Sequence, residues 1–428
     1  MREYFAKSRL DNGIRVITDR LEGRLSVSIG VWTLSGSRHD PKNMPGLAHL
    51  IEHMLFKGTE NYSSRQISEI IEYKGGSIDG YTDYDVTAIM LKLLSDEIPT
   101  GIKIISEMIN RPLIDSKMLE SEKKVILEEI TADRDDNNSM SFNNLSRIMW
   151  QNYPLSHEIL GNPESIARIM PNDIRQYLDR YYSPQRTLIS AVGNVCHDDF
   201  LDMIENAFSN IPKMANIPQA EEPVLNELQT LNLVKDNILQ AMVYVVIPIG
   251  NIDTKDRYGY SLMTSALGSG SASRLFQKLR EEHSLAYSTG AWMENFADQS
   301  FIICYADTNE NGAKPAIDMI LAELDDIMKN GMGKKELGRM KNTIAGKLAL
   351  STESTSSMLQ RLMTNEIILG NHITIEQSIE NFRNFPKDRI QELANKKFNK
   401  DNILLFGYGN IPENINIKGF RRIWHQKK

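Results

Sequence analysis

A long-range internal repeat limits what this chain can fold into. Similar segments recur 216 to 218 residues further along the 428-residue sequence, around Val27 and Val243, around Gly193 and Gly409, and around Leu119 and Leu337. A separation that persists at three distant places indicates a duplicated unit. The sequence therefore predicts two homologous domains.

Each half mixes short alternating segments, typical of half-buried strands, with longer helical segments. In the first half, strands are predicted at 14–18 and 25–32, and helices at 96–110, 115–131 and 138–151. This mixture favours an α+β fold, in which each mostly antiparallel sheet has helices packed on one face.

A stretch with three prolines and no clear period separates the two halves. It predicts a first α+β domain at 1–211, a linker at 212–226 and a second homologous domain at 227–428.

Composition excludes several classes of protein. The net charge of −7 and the pI near 5.7 argue against nucleic-acid binding. Two cysteines, Cys196 and Cys304, define neither a disulfide framework nor a cysteine-type zinc site. No apolar run approaches the ~18 residues of a membrane span, and the N-terminus has no signal-like segment. We expect a soluble chain that is either not exported or already processed.

A short, largely apolar helix is predicted between Pro45, which suits a first helical position, and Gly58. His49 and His53 lie four residues apart and therefore on one helix face, with Glu52 beside them. Buried imidazoles need a partner, and a catalytic zinc ion takes two of them with one further protein ligand and a water. His-x-x-Glu-His is the inverted zincin order. The alternative is a pair of core histidines with no metal.

A candidate third ligand lies on the predicted helix 115–131. Met118, Glu122, Val125 and Glu129 form one stripe at the spacing of a core-facing row. Carboxylates in such a row need a positive partner, so we expect Glu129 to be the third metal ligand and Glu122 to orient another ligand. The alternative for both is a solvated Glu/Lys face.

The second copy of the repeat lacks this set of residues. Steps of about 217 residues lead from the two histidines to 266–270, from Glu122 to Met340 and from Glu129 to Lys347. Residues needed only for folding would persist in both copies, so the pattern indicates a functional site in the first copy.

The chain resembles the pitrilysin/insulinase family of zinc peptidases, and specifically its processing-peptidase branch. The resemblance extends nearly from end to end, and the longest matching segment includes the His-x-x-Glu-His motif. The matching segments are 12–16, 46–59, 125–130, 159–161, 273–280 and 285–288.

This resemblance implies one Zn²⁺ per chain, held by His49, His53 and Glu129. It also implies that Glu52 is the general base acting on the metal-bound water and that Glu122 supports the site. From the activity of the family, the expected function is the hydrolysis of short unfolded peptides or presequence-like segments. The expected location is a bacterial cytoplasm, with a mature mitochondrial matrix protein as the alternative.

In the second domain, Arg280 and Tyr287 are similar to a family pair that binds substrate carbonyls and stabilises the oxyanion. Their alternatives are a surface arginine and a core tyrosine. Family chambers contain four such domains and this chain has two. The resemblance therefore implies a clamshell dimer in which this pair serves the partner's zinc, as a homodimer or as a heterodimer with an inactive paralogue.

The resemblance also implies that a substrate peptide docks as an added strand beside 77–82, with Ser77, Asp79, Gly80 and Tyr81 as contacts. Asp79 and Gly80 replace the usual Asn and Ala, which makes this edge more acidic and more flexible. The acidic residues that bind a substrate arginine are missing at 139–143. The rival prediction is a non-catalytic core, assembly or peptide-binding subunit of the same family.

Overall fold

The computed structural model describes residues 4–150, 153–209, 211, 224–252 and 255–426. The chain divides into two compact units. The first unit is formed by the described residues of 1–140, 152–223 and 351–370, and the second by those of 141–151, 224–350 and 371–428. The predicted linker, 212–226, lies outside the described residues except for 224–226. The predicted domain boundaries on either side of it stay a prediction.

The described residues form strands and helices in the following order. The strands are β1 (Tyr4–Arg9), β2 (Arg15–Arg20), β3 (Ser26–Thr33), β4 (Ser77–Thr82), β5 (Thr87–Leu94), β6 (Thr187–Gly193), β7 (Thr230–Lys235), β8 (Ala241–Pro248), β9 (Ser288–Asn295), β10 (Ser300–Thr308), β11 (Leu404–Gly409) and β12 (Arg421–His425). The helices are α1 (Leu47–Leu55), α2 (Ser64–Tyr73), α3 (Ile98–Asn110), α4 (Ser116–Asp135), α5 (Asn137–Met149), α6 (Pro163–Arg168), α7 (Pro171–Tyr181), α8 (His197–Phe208), α9 (Asp256–Gly268), α10 (Ala313–Asn330), α11 (Lys334–Ser351), α12 (Thr355–Leu369), α13 (Ile375–Asn384) and α14 (Lys387–Lys397). A π-helical segment, Phe276–Glu282, follows α9.

The first unit contains a six-stranded sheet in the order β1-β2-β6-β3-β5-β4. All its pairs are antiparallel except β2 with β6. Side chains alternate between the faces of a strand, and Val27, Ile29 and Val31 of β3 join the core that α1, α3 and α4 also build. The helices follow the predicted segments closely, apart from a start of α1 at Leu47 rather than at Pro45.

The opposite face of this sheet is covered by α12, from the second half of the sequence. Ser28 points to that face, and its hydroxyl lies 2.8 Å from the Thr355 hydroxyl at the start of α12. Near the other end of the helix, the buried Glu366 carboxylate accepts hydrogen bonds from Lys7 Nζ at 2.8 Å and Arg15 Nη1 at 3.2 Å. Burial lowers the pKa of Arg15, and the Glu366 charge opposes this shift.

The second unit repeats the architecture. Its sheet has the order β12-β7-β11-β8-β10-β9, in which β7 to β11 occupy the places of β2 to β6. The outer strand next to β7 comes from the C-terminus and is parallel to β7, whereas β1 is antiparallel to β2. Part of α5, from the first half of the sequence, lies against this sheet, where the hydroxyls of Ser141 and Tyr244 are 2.5 Å apart.

The predicted α+β class with two homologous halves is confirmed. Each unit is a mostly antiparallel sheet with a helix-covered core, and each sheet also receives a helix from the other half of the sequence. Within the described residues, none of the helices combines the length and the apolar composition that crossing a bilayer requires.

The Glu366 cluster predicts a measurable contribution to stability. Glu366→Gln should lower the free energy of unfolding by about 2 kcal/mol, because Lys7 and Arg15 lose a charged hydrogen-bond partner in a buried position. The measurement is urea unfolding followed by circular dichroism. Glu353→Gln is the matched control, since Glu353 is 74% exposed and 3.7 Å from Arg24, and should change stability by less than ~0.5 kcal/mol. Equal effects of the two variants would contradict this account.

Candidate metal centre

Helix α1 is fixed at its start by a buried carboxylate. Asp40 accepts hydrogen bonds from the backbone N–H groups of Gly46 at 2.7 Å and Ala48 at 2.8 Å, so it caps the helix from six residues before its N-cap. Burial raises the pKa of Asp40 to about 8, and the backbone bonds oppose this shift. Gly46 has a φ of 91°, and a Cβ there would lie 2.6 Å from the Leu160 carbonyl oxygen, so only glycine fits this junction.

His49 and His53 lie side by side on α1, with ring centroids 4.6 Å apart. Glu129 of α4 lies opposite, with its Oε2 3.9 Å from His49 Nε2 and 3.6 Å from His53 Nε2. Ligand atoms of the three residues lie within 4.8 Å of one another. A tetrahedral zinc site with bonds of ~2.0–2.1 Å needs donor atoms about 3.3 Å apart, so this set fits a metal ion after a small contraction.

Glu122 contacts the His53 ring nitrogen that faces away from Glu129. Its buried carboxylate lies 3.3 Å from His53 Nδ1 and accepts a hydrogen bond from Lys57 Nζ at 2.9 Å. A carboxylate can only accept, so His53 carries its hydrogen on Nδ1 and keeps the Nε2 lone pair for the side that faces Glu129. The sequence-based expectation that Glu122 orients a ligand therefore agrees with its contacts.

His49 is kept neutral by its surroundings. Burial, together with the neighbouring His53, lowers the pKa of the His49 imidazole to about 4. The neutral form is the one that binds metals. Among the described residues, His49 Nδ1 is buried without a hydrogen-bond partner.

Glu52 lies on α1 but outside the group of possible ligands. Its side chain is 9% exposed, and Thr82 Oγ1 donates a hydrogen bond to its Oε2 at 2.7 Å. Burial raises the pKa of Glu52, and the bond from Thr82 opposes that shift. At Gly80 on the neighbouring strand, a Cβ would lie 3.0 Å from Glu52 Oε1 and 2.8 Å from the Phe56 ring. Glycine at this position therefore leaves room beside the carboxylate.

Strand β4, which contains the predicted substrate contacts, is the last strand of the first sheet. In the described part of the chain, no strand pairs with its outer edge. Ser77 and Asp79 are exposed, whereas the Tyr81 hydroxyl accepts hydrogen bonds from Trp32 Nε1 at 3.0 Å and Gln360 Nε2 at 3.1 Å. The docking role of Ser77, Asp79, Gly80 and Tyr81 stays a prediction.

Arg280 and Tyr287 form a pair within the second unit. Arg280 Nη1 donates to the Tyr287 carbonyl at 3.0 Å, and its guanidinium lies 5.4 Å from the Tyr287 ring centroid and 5.0 Å from that of Phe276. Tyr287 is 82% exposed, so the alternative of a core tyrosine is wrong. A catalytic role for the pair stays a prediction.

Sequence reasoning missed three residues around the site. Lys57 lies four residues after His53, and this helix-face spacing could have indicated it. Thr82 ends the predicted strand but carries no motif of its own. Asp40 is separated from the helix it caps by a loop, so no local pattern could have identified it.

Both halves of the chain match known protein families. Residues 15–163 match the family described as "Insulinase (Peptidase family M16)", and residues 168–344 match "Peptidase M16 inactive domain". The chain belongs to peptidase family M16. The first match contains the candidate metal ligands, and the second contains Arg280 and Tyr287.

Individual relatives agree with this assignment. A Bacillus subtilis protein named "Uncharacterized zinc protease YmxG" is 31% identical over 404 residues, which cover 94% of this chain and 98% of the relative. The fold is similar to that of a solved protease from Helicobacter pylori, with a TM-score of 0.88, 19% identity and coverage of 95% and 99% of the two chains. It is equally similar to a Pseudomonas fluorescens structure described as a peptidase M16 inactive domain, with a TM-score of 0.88, 18% identity and coverage of 97% and 100%. The resemblance to the pitrilysin/insulinase family is therefore confirmed, while the processing-peptidase branch and the cytoplasmic location stay predictions.

The contact between Glu122 and His53 predicts an effect on metal affinity. Glu122→Gln should weaken Zn²⁺ binding by about 10- to 100-fold, because the neutral amide no longer fixes the charge and tautomer of the imidazole. The measurement is competition between the metal-free chain and a chromophoric chelator.

Glu128→Gln is the matched control, since Glu128 lies on the exposed face of the same helix. That variant should bind Zn²⁺ as the wild type does. An unchanged affinity in Glu122→Gln would show that this carboxylate does not support the site.

Proposed function

We propose that this chain is a zinc endopeptidase that hydrolyses short unfolded peptides, with one Zn²⁺ held by His49, His53 and Glu129. The observation that carries the proposal is the convergence of these three side chains beside a fourth, Glu52, which is buried and outside the donor group. Two neutral imidazoles and one carboxylate, with an open fourth position, are the donor set of a catalytic zinc site.

A bound zinc ion supplies a water of low pKa and a Lewis acid for the scissile carbonyl. Glu52 takes the proton of the attacking water and passes it to the leaving amine. Burial raises the pKa of Glu52, which makes the carboxylate a stronger base once ionised. The bond from Thr82 to Oε2 holds the carboxylate in one orientation and leaves Oε1 on the side of Gly80.

The peptide is expected to add to the outer edge of β4. Backbone hydrogen bonds to an edge strand bind an extended peptide without requiring a particular sequence. Thr82 on this strand contacts Glu52 directly, so a peptide paired with β4 would run next to the general base. Presequence-like segments are included in this proposal as one class of substrate.

We further propose that the chain works as a clamshell homodimer in which Arg280 and Tyr287 of one subunit serve the zinc of the other. An exposed arginine and tyrosine can bind substrate carbonyls and donate to the developing oxyanion. Both the ligand set and this pair occur in one sequence, which favours two equivalent chains over a heterodimer with an inactive paralogue.

The rival function is a non-catalytic core or assembly subunit, or a peptide-binding subunit. The observation that favours this rival is the match of residues 168–344 to a family described as an inactive domain. The first unit nevertheless keeps all three candidate ligands and Glu52, and a subunit without turnover has no need of a buried carboxylate beside them.

Replacing the proposed base tests the enzymatic function. Glu52→Gln should retain zinc and lose kcat/KM by about 10²- to 10⁴-fold, because the amide cannot accept a proton. Peptide-library cleavage is followed by mass spectrometry, and bound metal is measured on the same samples. Glu128→Gln is again the control, because Glu128 lies on the exposed face of α4 and belongs to neither the candidate donor group nor β4. Full activity in Glu52→Gln would refute the assigned role.

Mixing two impaired variants tests the shared site. A Glu52→Gln chain and an Arg280→Ala chain should each keep only a small residual activity, whereas their mixture should recover much more because one of the two sites in a mixed dimer is complete. Activity is measured over a range of protein concentrations after the subunits have exchanged. If the mixture is no more active than its components, Arg280 does not act across a dimer.

A further inference from the structure

Arg274 in the second unit is held by carboxylates from two helices. Its Nε and Nη2 donate to the two oxygens of Glu336 on α11, both at 2.7 Å. Its Nη1 donates to Asp326 at 2.7 Å and to Glu323 at 3.3 Å, both on α10. The side chain is 14% exposed, and these bonds raise the pKa of the guanidinium further, with Glu336 as the largest cause. A planar fork that donates four hydrogen bonds from all three of its nitrogens is a rigid anchor.

Arg274 lies at the start of the segment that contains Arg280. The π-helical turn Phe276–Glu282 begins two residues after Arg274, and the buried Leu279 faces the core of the unit. Wide i+5 hydrogen bonding is visible where the His283 N–H donates to the Lys278 carbonyl at 3.2 Å. Such turns are rare and cluster at functional sites.

The other end of the segment is fixed as well. Ser284 has a φ of 50°, in the left-handed region. After it, the Leu285 N–H donates to the Leu279 carbonyl at 2.7 Å, and the Tyr287 N–H donates to the Asp307 carbonyl at 3.0 Å. The 274–287 segment is therefore attached to α10 and α11 at its start and to β10 at its end.

The register of this segment decides where Arg280 points. Successive side chains of an α-helix differ in direction by about 100°. A change from π- to α-helical bonding would shift the register of this segment and so rotate Arg280 away from the Tyr287 carbonyl. Arg280 itself is exposed, and among the described residues its side chain contacts that carbonyl and the rings of Phe276 and Tyr287. Its direction thus depends on the ends of the segment.

We propose that Arg274 is a positioning residue, which holds the π-helical segment in register so that Arg280 and Tyr287 present a preformed pair to the substrate. This inference rests on the proposed peptidase function of that pair. Arg274 touches no substrate and acts only through Arg280 and Tyr287.

Activity measurements on the zinc-loaded full chain separate positioning from stability. Arg274→Gln should lower kcat/KM by about 10- to 100-fold, because a shift of the catalytic group by ~1 Å has effects of that size. Arg274→Lys keeps the positive charge but not the planar fork, so its kcat/KM should lie between those of the wild type and Arg274→Gln. Arg389→Gln is the matched control: Arg389 binds Asp256 and Glu392 in the same unit at a more exposed site, and its loss should leave kcat/KM within about twofold of wild type.

Adding Arg274→Gln to a chain that already lacks the positioned pair decides whether Arg274 acts through that pair. If it does, Arg274→Gln should cause no further loss of the residual kcat/KM of Arg280→Ala/Tyr287→Phe, because both positioned groups are already absent. Multiplying losses, or an unchanged kcat/KM in Arg274→Gln, would overturn the proposal.

Hydrogen–deuterium exchange supplies a readout that needs no activity. In Arg274→Gln, exchange should increase at 276–287 and stay unchanged in the rest of the second unit. An increase spread over the whole unit, or none at all, would overturn the proposal. If the wild-type chain cleaves no peptide, the proposed function fails, whereas the exchange result still decides whether Arg274 fixes this segment.

Discussion

Burial of helix α1 is the constraint on which the candidate site depends. Leu50, Ile51 and Met54 are fully buried, so the polar residues between them are carried out of water along with the helix. Desolvation acts in opposite directions on the two kinds of group: it lowers the pKa of the His49 imidazole and raises that of the Glu52 carboxylate. One physical cause therefore favours a neutral imidazole at a candidate metal ligand and a more basic carboxylate at the proposed general base, on the same short helix.

Duplication explains the fold more fully than it explains the chemistry. Five strands keep the same order in both sheets, and the helices α5 and α12, at matching places in the repeat, each lie against the sheet of the opposite half. The second unit fills its core with apolar side chains, including Met340 at the position matching Glu122. The scaffold therefore needs no polar cluster to fold, which supports a functional reason for the cluster in the first copy.

Sequence periodicity predicted the elements and the residues that face one another across short distances. The spacing of four placed His49 beside His53, and Glu129 on the predicted helix lies opposite them. The predicted core-facing row on α4 was wrong, because Val125 is 42% exposed and the buried face is formed by residues such as Leu119 and Ile126. Periodicity could not predict contacts between distant segments, such as α12 with the first sheet. The pattern of apolar residues along α12 shows which face is buried but does not identify the element that covers it. The π-helical turn was also invisible, since it depends on the fixed ends of the segment more than on local preference.

Charge balance around the site adds a further physical reason for a divalent cation. Glu52, Glu122 and Glu129 lie beside the two histidines, and Lys57 is paired with Glu122. Glu52 and Glu129 are left without a compensating cation among the described contacts of the cluster; Glu52 is buried, whereas the Glu129 side chain is 42% exposed. A doubly charged ion would balance both charges at the proposed site, where Glu129 belongs to the candidate donor group and Glu52 does not. The cost of keeping the Glu52 charge buried thus favours a cation nearby.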